Sequence, residues 1–118
     1  MNAKNELGRL GEQLAAEFLE QAGLRILDRN WRCPEGEIDI VAVEGRVLVI
    51  GEVKTRSGIR YGTPLEAISA AKRARLRRLA TRWVTAHGLF YDEIRVDVVG
   101  VLRAGRDTCT VEHTRGVG

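Results

Sequence analysis

Three acidic residues and a lysine are threaded through two apolar runs in the stretch GEIDIVAVEGRVLVIGEVKTR, residues 36–56: Glu37, Asp39, Glu52 and Lys54. An isolated charge on a strand packed into a core is costly because the ion loses its hydration. Clustered carboxylates also repel one another unless a positive charge sits between them or one takes up a proton. A hard divalent cation answers both problems. Mg²⁺ prefers oxygen donors at roughly 2.0–2.1 Å and commonly takes one or two carboxylates, waters and a substrate phosphate. Such an ion polarises a phosphodiester, lowers the pKa of a bound water and steadies the leaving oxygen. Lys54, one strand step beyond Glu52, suits orienting the attacking water or neutralising charge on the phosphate. These residue types therefore point to metal-assisted phosphodiester hydrolysis. The plainer alternative is a solvated Glu–Lys pair on a half-exposed strand, which is worth little.

Two strands must carry these groups, about Glu37–Val43 and Arg46–Thr55. If Glu44-Gly45 is a two-residue loop, Val43 pairs with Arg46, Glu37 faces Glu52 and Asp39 faces Ile50. Alternation then puts Asp39, Glu52 and Lys54 on one face. Asp39 and Glu52 become diagonal neighbours with Cα atoms about 7–8 Å apart. A three-residue loop would shift the register by one and separate them. Glu37 and Glu52 could instead form the carboxylate pair of an acid/base hydrolase. That chemistry needs a sugar-binding cleft rich in aromatics, and only 5% of the chain is aromatic.

The surrounding elements follow from periodicity. Leu7, Leu10, Leu14, Phe18 and Ala22 have helical spacing over about Asn5–Ala22, with Gly23 as the stop. LRILDRNW, from Leu24, reads as a strand before the two above. In TPLE (63–66), Thr63, Pro64 and Glu66 form a helix-start signature, so a second helix is expected from there to about His87, ended by Gly88. Its apolar stripe is Leu65, Ile68, Leu76, Leu79, Ala80 and Trp83. EIRVDVVGVL (93–102) and TCTVEH (108–113) complete an α-β-β-β-α-β-β order, an α/β or α+β sheet with flanking helices.

With 118 residues, 44% apolar and 30% charged, the chain is expected to be one domain, residues 1–118. No apolar run is long enough to span a membrane, and MNAKNELGRLGEQ has no signal-peptide core, so a cytoplasmic location is expected. Cys33 and Cys109 lie far apart without ligand spacing, which argues against a structural zinc site.

GEID followed by EVK resembles the PD-(D/E)XK nuclease pattern, with Asp39 as its second-motif aspartate and Glu52-Val53-Lys54 as E-x-K. The wider arrangement GRLGEQLAAEFL, GEIDIVA, EVKTR and AISAAKRARL resembles the YraN-like family of small bacterial proteins, over about residues 5 to 100. Archaeal Holliday-junction resolvases, a related branch, carry a similar N-terminal G-x-x-x-E, matched here by Gly8 and Glu12. A helical wheel alone leaves Glu12 and Glu17 both bordering the apolar arc; the resemblance selects Glu12. It implies a restriction-endonuclease-like fold, a mixed central sheet flanked by helices. It also implies Mg²⁺ or Mn²⁺ held by Glu12, Asp39, Glu52 and the Val53 carbonyl, with Lys54 assisting the hydrolytic water. Ile38 stands where the pattern's name has proline. Gly51 precedes Glu52, removing packing or allowing close approach.

Between Lys72 and Arg82 lie six cations and no acid. Lys72, Arg75, Arg78 and Arg82 follow helical spacing and could track a phosphate backbone with salt-dependent, sequence-independent affinity; the alternative is a solvated basic face. Lys72 also falls where the family pattern places a lysine after the helix start. Arg56 and Arg60 flank the glycine loop after Lys54. No base-reading motif is present, so DNA recognised by structure, as in branched or flapped forms, is the expected partner. A homodimer is compatible, because junction resolvases act as dimers. A binding module without catalysis is the rival expectation. Trp31, Trp83, His87 and His113 are read as structural, and Asp97 as the partner of a neighbouring arginine.

Overall fold

Small residues govern how the first helix meets the sheet. In the computed structural model, which describes residues 3–57, 68–105 and 108–117, helix α1 spans Ala3–Gln21. Gly11, Ala15, Ala16 and Leu19 share one face and are buried. A Cβ added to Gly11 would lie 2.0 Å from Thr55 Oγ1, so only glycine lets the helix backbone come this close. The core face is thus rotated from the expected leucine stripe: Leu10 is 42% exposed and Ala22 is exposed. Close approach favours small side chains in the seam, while larger ones flank it. Gly23 adopts φ 99° and ends the helix, with its N–H donating to Glu20 O and Leu24 N–H to Leu19 O, both at 3.0 Å.

The strands are β1 (Arg25–Cys33), β2 (Gly36–Glu44), β3 (Val47–Ser57), β4 (Glu93–Arg103) and β5 (Cys109–Thr114), with helix α2 (Ala70–His87) between β3 and β4. They form one sheet in the order β1-β2-β3-β4-β5. The β3–β4 pair is parallel, joined through α2, and the other three pairs are antiparallel. The α-β-β-β-α-β-β order and mixed α/β class are those expected from the sequence. Two apolar layers cover the sheet. Under α2, Leu76, Leu79, Ala80 and Trp83 pack on Val41, Leu48, Ile50, Val96 and Val98. Under α1, Ala15, Ala16 and Leu19 pack on Ile40, Ala42, Val49, Val99 and Val101. No described helix is long and apolar enough to cross a membrane.

Two expectations need correction. The β2–β3 turn is Gly45-Arg46, and Glu44 pairs with Val47, because Gly45 supplies the φ of 61° at the first turn position. This moves the register by two from the expected one, which keeps the paired residues, 40–44 and 47–51, on their faces. Helix α2 does not run unbroken from Thr63. Ser69 is extended (ψ 154°) and caps the helix, its Oγ accepting from the Lys72 N–H at 3.1 Å. The TPLE signature itself, like Leu65, lies outside the described residues. Gly88 closes α2 at φ 64°, as expected.

Asp97, with no exposed surface and paired in register with Gly51 of β3, is the hub of a second polar network. Arg95 donates to both its oxygens (2.8 and 2.9 Å), His113 Nε2 donates at 2.8 Å and the Gly116 N–H at 2.9 Å. Burial pushes the Asp97 carboxyl up, but these donors outweigh it and hold it below the usual carboxylate range. Arg95 also reaches Glu44 at 2.9 Å, and Arg115 donates to the same carboxylate at 2.7 Å. The expected arginine partner is therefore present, with a histidine and the C-terminal backbone joining it.

Two stability tests follow. Gly11→Ala gains about 1 kcal/mol of helix propensity, but the collision with Thr55 is worth about 1–3 kcal/mol and wins. Denaturant titration should show net destabilisation, partly recovered in the Gly11→Ala/Thr55→Ala double variant; a stabilised Gly11→Ala would refute the tight seam. Asp97→Ala leaves the half-buried Arg95 without its main partner and should cost about 3–5 kcal/mol, whereas a loss under about 1 kcal/mol would mean the network is solvated.

Candidate metal centre at a fork in the sheet

Strands β2 and β3 pair only from Glu44↔Val47 to Ile40↔Gly51. Beyond that point β2 stays with β1, down to Cys33↔Gly36, while β3 stays with β4, out to Ser57↔Arg103. The sheet therefore opens between Asp39 and Glu52. Side chains on β2 also change sides here: Ile40 packs under α1, and Ile38 packs under α2. Strict alternation would have put them together. Asp39, at the changeover, turns into the gap, where its Oδ2 accepts from the Val53 N–H at 2.9 Å. A side chain thus takes the donor that a continuing ladder would have used. Gly51 sits where the pairing ends. A Cβ there would lie 3.3 Å from Ile40 Cβ, so glycine eases a tight final pair.

Each helix contributes to the fork. On the α1 side, Glu12 lines a cleft of about 270 Å³ together with Leu7, Gly8, Asp39, Val53 and Thr55. The close seat of Gly11 on Thr55 puts Glu12, the next residue, against this cleft. Gly8 faces open space. Of the two glycines in GRLGE, Gly11 positions the acid, a role its sequence spacing left unseen. Glu17 is exposed and accepts from Gln13 Nε2 at 2.7 Å, away from the cleft. On the α2 side, Glu52 shares strand parity with Leu48 and Ile50, is only 8% exposed, and pairs with the Lys72 ammonium. Alternation puts Lys54 on that same face, half-buried; Asp39, which lines the α1-side cleft with Val53 and Thr55, does not share it as expected, because β2 changes sides where the pairing stops.

Burial is the main reason that the Asp39 carboxyl is pushed up to about 7, and repulsion from Glu52 and Glu12 and a hydrogen bond with Glu52 add to it. The Val53 N–H works in the opposite direction. The cluster as built thus binds positive charge in two places, a proton shared at Asp39 and an ammonium at Glu52. Its donors are all hard oxygens, which fits Mg²⁺ or Mn²⁺. Among the described residues no three carboxylate, histidine or cysteine side chains already form a metal cage.

The expected sites thus divide. Glu12, Asp39 and Val53 meet at the cleft, and Glu52 joins them through the fork. Glu37 does not face Glu52: it pairs with Arg32 of β1, across the register at 3.3 Å, because β2 has left β3 before reaching it. The acid/base pair of Glu37 and Glu52 is therefore not formed. Of the cations, Arg82 pairs with Glu35 in the β1–β2 turn, Arg75 and Arg78 are exposed, and Arg56 is half-buried on β3. Arg60 and Tyr61 lie outside the described residues. Trp83 is 2% exposed, its indole N–H donates to Asp28 at 2.9 Å, and its ring stacks on His87 with centroids 4.1 Å apart.

The raised Asp39 pKa carries a sign that can be checked. The folded state keeps a proton that the unfolded chain releases from about pH 4, so this group's contribution to stability falls between about pH 4 and pH 7 and is flat above. Asp39→Asn keeps the acceptor for Val53 and removes the charge. It should be more stable than the parent near pH 8 by about 1–3 kcal/mol, the gap closing toward about pH 4. Thermal melts across this range measure it, and a less stable variant near pH 8 would show that Asp39 is not crowded by acids.

Comparison with known proteins places the chain. A family model described as uncharacterised protein family UPF0102 matches residues 11–101, the span containing Glu12, Asp39, Glu52, Lys54 and Lys72. A UPF0102 protein of Renibacterium salmoninarum is 56% identical over 100% of both chains. One from an Arthrobacter species is 59% identical, also over 100% of both. Another from Acidothermus cellulolyticus is 46% identical over 98% of this chain and 95% of its own. The chain belongs to family UPF0102, the YraN-like proteins whose motifs it shares.

Proposed function

We propose that this protein is a metal-dependent nuclease of the PD-(D/E)XK type, hydrolysing phosphodiester bonds in DNA, with branched or flapped forms as its substrates. The observation that supports this most is the meeting of Glu12, Asp39 and Glu52 at one opening in the sheet, with Lys54 one strand step away. Glu12 and Asp39 would hold Mg²⁺ or Mn²⁺ from the α1 side and Glu52 from the α2 side, with the Val53 carbonyl completing the set. When bound, that ion supplies a water of lowered pKa and Lewis acidity toward a phosphate oxygen. The chain's own residues do the rest. The Val53 N–H fixes the Asp39 carboxylate in the gap. Lys54 orients the attacking water and offsets charge on the phosphate. Exposed Arg75 and Arg78 draw in the backbone without reading bases.

A second reading, a nucleic-acid-binding module without catalysis, draws on one observation: Lys72 already neutralises Glu52. Labelled duplex, flapped, single-stranded and four-way DNA, each with Mg²⁺, Mn²⁺ or EDTA, separates the two. Metal-dependent cleavage should fall by about a hundredfold or more in Glu52→Ala and in Lys54→Ala. Cleavage that persists in both variants would reject the assigned site. Salt-sensitive binding with no cleavage, unaffected by Asp39→Ala, would establish the binding module.

A further inference from the structure

Lys72 is placed unlike the other cations of α2. It lies in the first turn, where its N–H is held by Ser69 Oγ at 3.1 Å. Its ammonium reaches through to Glu52, whose side chain is 10% exposed, while its own side chain remains 40% exposed. Arg82 instead pairs with a turn acid, and Arg77 donates to the Ile94 carbonyl at 3.1 Å at the start of β4. Lys72 is thus tethered at its backbone, open to solvent along its stem, and bonded at its tip to a carboxylate of the acid cluster. A buried carboxylate needs a counter-charge in every state. Lys72 supplies one from within the chain.

We propose that Lys72 is an exchangeable counterion: it neutralises Glu52 in the resting protein, vacates it when a divalent cation binds, and then contacts the phosphate backbone of the nucleic acid. This rests on the nuclease reading for the identity of the site, and it makes metal binding and nucleic-acid binding mutually dependent. A flexible four-carbon stem permits the move, since an ammonium is a point charge able to serve a carboxylate or a phosphate equally. The exchange leaves Glu52 with a counter-charge throughout. It also accounts for a cation at the cluster before any metal arrives.

The test is calorimetric titration of the full chain with Mn²⁺ alone, with no nucleic acid present. Removing the competitor in Lys72→Met should tighten Mn²⁺ binding at least fivefold, and Lys72→Gln, which keeps a hydrogen-bond donor for Glu52, should do the same if the methionine variant folds poorly. Unchanged or weaker binding in both variants would overturn the exchange while leaving the metal site, and so the nuclease reading, standing. No Mn²⁺ binding by the parent or either variant would overturn both. The second arm measures affinity for a flapped DNA with and without Ca²⁺. Coupling is reciprocal, so Ca²⁺ should raise DNA affinity in the parent by at least threefold more than in Lys72→Gln. An equal rise in both would show that the released ammonium does not reach the phosphate.

Discussion

Repulsion among buried carboxylates is the interaction around which this end of the molecule is arranged. A sheet that continued its β2–β3 ladder would place Asp39 and Glu52 side by side with nothing between them. The strands part instead after Ile40 and Gly51, one staying with β1 and the other with β4. Three devices then contain the charge. The Val53 N–H bonds Asp39, Asp39 holds a proton to near neutrality, and Lys72 pairs with Glu52. Each is local, and each is made by the protein's own groups.

The rest of the fold serves that opening. Alanines and a glycine bring α1 close enough for Glu12 to reach the cleft from one side. The Ser69 cap starts α2 where Lys72 can reach Glu52 from the other. The parallel β3–β4 pair anchors the strand that carries Glu52, Val53 and Lys54 along its full length, so the fork opens on the β2 side only. On the other side of β3, Asp97 ties β4, β5 and the C-terminal residues together with Arg95 and Glu44. The charged groups split accordingly: Arg95, His113 and Arg115 bond the carboxylates of Asp97 and Glu44, and the remaining acids gather at the fork.

Much of this was legible in the sequence. Apolar periodicity gave all seven elements in their order, strand alternation singled out Asp39 and Glu52, and the resemblance to the nuclease pattern selected Glu12. What stayed hidden has physical causes. The turn moved by one residue because Gly45 takes the left-handed conformation, yet the register changed by two and the faces of the paired residues survived. The half-turn of β2 at Asp39 could not be read from alternation, because it exists only where strand pairing stops. The α1 face was misplaced because leucines dominate a periodicity count, whereas the seam is built from residues small enough to allow contact. The resemblance had set Lys72 apart from the other five cations as a nucleic-acid contact; its pairing with Glu52, made possible by the Ser69 cap that puts it in the first turn, was not legible.

The nuclease reading adds one claim to this geometry, that a divalent ion can enter among the acids. Anomalous diffraction from crystals grown with Mn²⁺ tests it most directly. The account predicts a single strong peak in the fork, bonded to oxygens of Asp39 and Glu52 with Glu12 facing it, and the Lys72 ammonium displaced. Density showing Lys72 still on Glu52 at saturating Mn²⁺, with manganese elsewhere on the molecule or absent, would contradict it.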